Sequence, residues 1–133
     1  MAEAKTKTEG AYKADADHTF FDVKAMSGVL AGKGYAETFG PVVEGELTQV
    51  GIMSLPAGSI GAPHRHPNEQ WIYLIEGEVE FTVGGVTKVA GPNQLVYIPS
   101  NVIHGTKVLD KPVRFFTVKD LRAGIVGTAV AAE

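Results

Sequence analysis

From His18 onward the chain is written as short apolar runs, each halted by Gly, Pro or Asn: HTFFDV, GYAETF, ELTQVGIMSL, QWIYLIEG, EVEFTVGG, TKVAG, QLVYIP and VRFFTVKD. Runs this short, spaced by turn formers, are the pattern of strands in an all-β sandwich or barrel. No segment repeats apolar residues at i, i+3, i+4 and i+7 for long enough to make an amphipathic helix, so helices should be minor. Sixteen glycines and seven prolines in 133 residues supply the turns, and a chain of this length holds one hydrophobic core.

The turns define an organisation. Gly77 separates QWIYLIE from EVEFTV, and Gly84-Gly85, a pair suited to the positive φ of a tight turn, separates EVEFTV from VTKVA. Two hairpins are expected there, making the middle of the chain a β-meander. Residues 1–17, with Tyr12 as their one large apolar side chain, read as a loose arm. Residues 18–127 form the barrel, and residues 128–133 are a tail. The apolar stretch LRAGIVGTAV, residues 121–130, should run over the barrel wall or into a neighbouring subunit.

Composition narrows the function classes. A formal charge of −3 gives no field that would gather phosphate backbones, so nucleic acid is not an expected partner. With no cysteine, any metal must be held by His, carboxylate or amide groups. The polar start lacks the apolar core of a secretory signal, and no later run reaches the length of a membrane span. The expectation is a cytoplasmic protein without a membrane partner.

Two of the four histidines, His64 and His66, lie in APHRHPNEQ. On an extended strand, residues i and i+2 face the same side. Gln70 shares that parity if the strand continues, and Glu69 does not unless a bulge resets it. Two imidazoles beside an amide or carboxylate suit a first-row divalent ion, and His104, just beyond QLVYIP, supplies a third. A lone His-x-His is weak, since a hydrogen-bonded structural pair looks the same.

The longer spacing is more specific. Gly58, five residues, His64, one residue, His66, three residues, Gln70, six residues, Gly77 resembles the first motif of the cupin superfamily, with Gln70 where Glu is usual. Asn93, five residues, Pro99, one residue, Asn101, two residues, His104 resembles the second, with Asn at two positions usually held by Gly. Asn is the non-glycine residue best suited to positive φ, so both replacements fit left-handed turn positions. Val108 stands where an Asn closes the family motif.

That resemblance, over about residues 42–120, implies an all-β, jelly-roll-like double-stranded β-helix. It also implies one divalent transition metal per chain, Fe, Mn, Ni, Co, Cu or Zn, on His64, His66, Gln70 and His104. A neutral amide in place of the family's carboxylate leaves the ion its full positive charge, hence a stronger Lewis acid, and favours the lower oxidation state. The run HRHPNEQ is similar to that of pectin-degradation cupins acting on unsaturated uronates, and some polyketide-cyclase cupins also resemble it in using three His and a Gln. The inward Asp expected of the uronate enzymes has no counterpart in VRFFTVKDLR, so that substrate is not carried over.

Around these residues, Met53, Ile72, Tyr97, Phe115 and Phe116 are candidates to line the pocket. Trp71, Tyr73 and Ile75 have the opposite parity and should face outward, while Ile72 and Leu74 face inward. His18 reads as a strand-start residue, and Arg65 points away from the metal. Arg114, Lys119, Asp120 and Arg122 read as solvated or subunit-contact groups, with a strand-end Arg at the mouth as the alternative holder of a substrate carboxylate.

The chemistry expected is that of a small-molecule enzyme, the metal polarising a carbonyl or enolisable hydroxyl in an isomerase, ring-opening, cyclase or lyase reaction. The rivals are a non-haem iron dioxygenase cleaving a C–C bond and a non-catalytic metabolite-binding barrel. A homodimer is the expected assembly.

Overall fold

The computed structural model describes residues 6–124 and 127–130. Its strands are β1 (Tyr12–Lys13), β2 (Val29–Ala31), β3 (Thr38–Gly40), β4 (Val42–Glu44), β5 (Thr48–Leu55) and β6 (Ile60–Arg65). They are followed by β7 (Gln70–Glu76), β8 (Val79–Val83), β9 (Val86–Ala90), β10 (Leu95–Ile98), β11 (His104–Val108), β12 (Val113–Asp120) and β13 (Thr128–Ala129). The single helical element among the described residues is a 3-10 turn at Val23–Ala25, capped by Asp22. None of these residues forms a helix long and apolar enough to cross a membrane.

One sheet runs β1-β4-β5-β12-β7-β10, with β3 attached to β5 and β2 to β3, and the other runs β13-β6-β11-β8-β9. From β5 to β12 the chain changes sheet at every connection except the β8–β9 hairpin. This zigzag closes the two sheets into a jelly-roll β-barrel, as expected. It also corrects the meander. At Gly84-Gly85 a true hairpin forms, Val83 pairing with Val86 and both glycines at positive φ. Gly77 instead sits at a corner between sheets, since β7 pairs with β10 and β12 while β8 pairs with β9 and β11.

Alternation explains the core. Along β5, Met53 and Leu55 point in, along β7 Ile72 and Leu74, and along β12 Val113 and Phe115, all buried between the sheets. β12, paired with β5 over its whole length and with β7 from Arg114 to Lys119, is the spine of the larger sheet. Trp71, Tyr73 and Ile75 alternate to the outside.

Two terminal expectations change. HTFFDV does not form a strand: the Asp15 carboxylate accepts from the backbone N–H groups of Asp17 and His18, a local turn that competes with pairing, and Phe20 is left 95% exposed. The arm is tied down over residues 6–17, because β1 pairs in parallel with β4 and the buried Glu44 accepts from the backbone N–H of Lys7 and of Thr8. Of the stretch 121–130, Leu121 is buried and β13 pairs with β6, so these residues lie along the barrel wall, one of the two courses expected. The extreme ends of the expected arm and tail, residues 1–5 and 131–133, lie outside the described residues, as do 125 and 126.

Candidate metal centre

His64 and His104 are directly opposed on β6 and β11, so both rings project to the inside. Two strand pairs farther along, Thr106 faces Gly61, so three steps on β6 match two on β11. This bulge inserts one residue around Pro63, which has no N–H to lose from the ladder, and re-aims His64 inward. Gly61 fits closely at the bulge, since a Cβ there would come 2.4 Å from Thr106 Oγ1 and force that hydroxyl to move. His66 follows at the end of the strand, its carbonyl accepting from the Asn101 N–H at 2.8 Å. Asn93 and Asn101 hold φ of 70° and 60°, the left-handed conformations that the motif positions demand.

The ring nitrogens of His64, His66 and His104 lie within 4.8 Å of one another, and all three residues are buried. Each Nδ1 sits against a backbone carbonyl: His64 on Ala62 at 2.9 Å, His66 on Asn68 at 2.8 Å and His104 on Val102 at 3.0 Å. A carbonyl only accepts, so each Nδ1 carries the proton and each Nε2 keeps its lone pair. His66 Nε2 is buried without a partner, an otherwise costly state that a cation would relieve. Burial lowers the pKa of all three rings, that of His104 to about 4, so they are neutral ligands at pH 7.

Gln70 is buried at the start of β7, although β6 and β7 belong to different sheets and the strand does not continue between them. Its amide nitrogen donates to Thr117 Oγ1 at 2.8 Å, which leaves the amide oxygen as the acceptor available to the centre. Glu69 is exposed and accepts from the Tyr97 hydroxyl at 2.5 Å, on the outside of the barrel. No bulge brings it inward.

A cavity of about 90 Å³ opens beside His64, Gln70 and His104. Met53, Ile72 and Phe115 line it, joined by Ile98. Tyr97 and Phe116, also expected there, face the other way. Tyr97 is 41% exposed and packs on Trp71 at 4.7 Å, and Phe116 borders an outer hollow with Trp71 and Leu95. Parity decides both: Ile98 and Phe115 took the inward positions of their strands.

Among the lining residues that escaped the sequence reading, Tyr35 and Lys119 bear most directly on the chemistry. Tyr35, on the turn between β2 and β3, stacks on His64 with centroids 3.9 Å apart and planes 21° apart. Lys119 continues the inward series Val113, Phe115, Thr117 on β12 and lines the cavity, opposite Gln70 on one side and Gln49 on the other. It is partly buried at the cavity wall and not a freely solvated surface group. The parity that placed Phe115 inside would have placed Lys119 there too. Burial lowers its pKa below the usual lysine value. Arg114 is exposed on the outer face, and Arg122 is paired with Asp120.

A cupin domain model matches residues 51–119, which span both sheets and all four of His64, His66, Gln70 and His104. This chain belongs to the cupin family. Dimethylsulfoniopropionate lyase DddQ of Ruegeria pomeroyi is 34% identical over 62 residues, 46% of this chain and 31% of that protein. H2HPP isomerase of Bacillus subtilis is 34% identical over 79 residues, 58% of this chain and 34% of that protein. This cupin thus spans about a third of the length of those curated relatives. The crystal structure of the DddQ lyase superposes with a TM-score of 0.61 at 25% identity, covering 68% of this chain and 46% of the other. The polyketide cyclase RemF of Streptomyces resistomycificus shares the fold over more of both chains, with a TM-score of 0.74 at 18% identity and coverage of 86% and 87%.

Proposed function

We propose that this cupin is a metal-dependent enzyme acting on a small oxygenated molecule, with one divalent transition metal held by His64, His66, Gln70 and His104. The observation that carries this reading is the set of three converging Nε2 atoms, each made a neutral donor by a carbonyl on its Nδ1, with His66 Nε2 buried and unpartnered. Such a donor set suits first-row divalent ions. Relatives named as a lyase and an isomerase support non-redox chemistry of the same breadth.

When bound, the ion supplies Lewis acidity toward a substrate carbonyl or hydroxyl oxygen. The chain supplies the rest. Ala62, Asn68 and Val102 carbonyls fix the ring orientations, as outer partners of metal-binding histidines do. The Gln70 amide adds no negative charge. Met53, Ile72 and Phe115 make a dry wall on which the carbon skeleton rests, and dryness strengthens every electrostatic contact inside.

The test is elemental analysis of purified protein and of His104→Ala after anaerobic reconstitution with ferrous iron, manganese, nickel and zinc, followed by substrate screening with an oxygen electrode. The expected result is about one ion per chain, lost in the variant, and turnover without oxygen uptake. Failure of the wild type to bind any of the four ions stoichiometrically would overturn the metalloenzyme reading. Oxygen-dependent turnover by the iron form would replace the lyase and isomerase class with a dioxygenase.

A further inference from the structure

Charge along the described wall of the cavity is one-sided. Lys119 lines the cavity with the neutral groups of His64, His104, Gln70, Gln49 and Thr117, and none of the described residues that line it is acidic. No ion pair engages Lys119 among the described residues. The inward carboxylate of Glu44, two strands away across β5, is taken up by the backbone N–H groups of Lys7 and Thr8 and by Gln49 Nε2. Glu69 and Asp120 are committed to Tyr97 and Arg122.

A half-buried ammonium without a counter-charge is costly to retain, and a methionine would fill the same space without that cost. None of the described residues that line the cavity supplies the balancing group, and an anionic ligand entering the cavity fits that role. A bound divalent ion cannot do so and adds to the excess positive charge. The cavity is small, about 90 Å³ against roughly 150 Å³ for an engineered cavity that admits benzene, which restricts the balancing group to a small molecule or one end of a larger one.

We propose that Lys119 is the specificity-determining residue of this cavity and that the substrate is a small carboxylate whose anionic oxygen lies against Lys119 while its neighbouring oxygen faces the three histidines. This assignment rests on the reading of the cavity as the substrate site. It replaces the strand-end arginine considered from sequence, since Arg114 is on the outer face and Arg122 is already paired.

The probe is L-lactate, with its uncharged isostere L-lactamide as control, titrated at low salt into wild type, Lys119→Met and Lys119→Gln and followed by protein NMR shifts. Each titration is run on metal-free protein and again with one equivalent of zinc. The expected result is that lactate binds wild type about tenfold or more tightly than either variant, the worth of one charge-assisted hydrogen bond, while lactamide does not distinguish them. Lactate affinities within twofold across the three proteins, equal binding of lactamide, or no lactate binding to wild type in the millimolar range would each overturn the proposal. If zinc fails to bind, the metal reading falls, and the metal-free titrations still decide the role of Lys119. Should Lys119→Met not fold, Lys119→Gln carries the comparison.

Discussion

Gln70 and Thr117 share a hydrogen bond of 2.8 Å inside the barrel, from the amide nitrogen of the first to the hydroxyl of the second. The bond spans β7 and β12 and sets which end of the amide meets the three histidines. It makes Gln70 a fixed neutral donor. Gln70→Glu places a carboxylate there, so zinc affinity should rise by an order of magnitude or more while the Lewis acidity of the bound ion falls. Thr117→Val removes the anchor and should weaken zinc binding about tenfold with the fold intact. Competition with a coloured chelator measures both, and a Gln70→Glu variant that binds zinc no better than wild type would count against Gln70 as a ligand.

Glu69 provides the opposite case. Its carboxylate is outside, bonded to Tyr97. Glu69→Ala should leave zinc stoichiometry at wild-type level and zinc affinity within about twofold, while Gln70→Ala loses affinity by tenfold or more. Zinc lost in Glu69→Ala and kept in Gln70→Ala would show that the loop after His66 rearranges around the ion.

How much of this was legible in the sequence depends on how local the cause is. The positions of His64, His66 and His104 follow from motif spacing, and the inward side of Ile72 and Leu74 follows from alternation along one strand. Alternation also held through Phe115, Thr117 and Lys119, but a lysine on a strand end is ordinarily solvent-facing, and that expectation hid it. Tyr97 and Phe116 were open to either face until their strands had a register. The docking of the arm depends on Glu44, thirty-six residues from Thr8 in sequence, and such a contact leaves no periodic trace. The corner at Gly77 looked like a hairpin because the glycine requirement of the two is the same, and only the pairing partners of β7 and β8 tell them apart.

Acid should destabilise the metal-free protein through the same histidines that make the site. The His104 pKa falls from an ordinary 6.5 to about 4, chiefly by burial, and those of His64 and His66 also move down. Between about pH 6.5 and 4 the unfolded chain therefore binds protons that the folded chain refuses, and the histidine contribution to stability falls as the pH drops through that window and is constant below it. His104 alone accounts for a loss of about 3 kcal/mol. Urea unfolding of metal-free protein at several pH values between 7 and 4 measures it. His104→Gln should flatten the pH dependence, and an unchanged slope in that variant would refute the assignment.

The corner at Gly77 should tolerate a side chain poorly for two reasons at once. Its φ is +80°, in the region that L-residues rarely adopt, and a Cβ built there lies 2.5 Å from the carbonyl oxygen of Pro112. Backbone cannot step aside as a flexible side chain does, because Val113 next to Pro112 is fully packed in the core and paired to Leu55. Gly77→Ala combines positive-φ strain with a backbone clash and should cost about 2–4 kcal/mol. Gly85→Ala serves as the comparison, since it shares a positive φ of +83° but has open space around the added methyl, and its cost should stay near 1 kcal/mol. Urea midpoints of the two variants separate the causes: equal losses would mean that φ strain alone governs both turns and that the β7–β8 corner yields more readily than its packing implies.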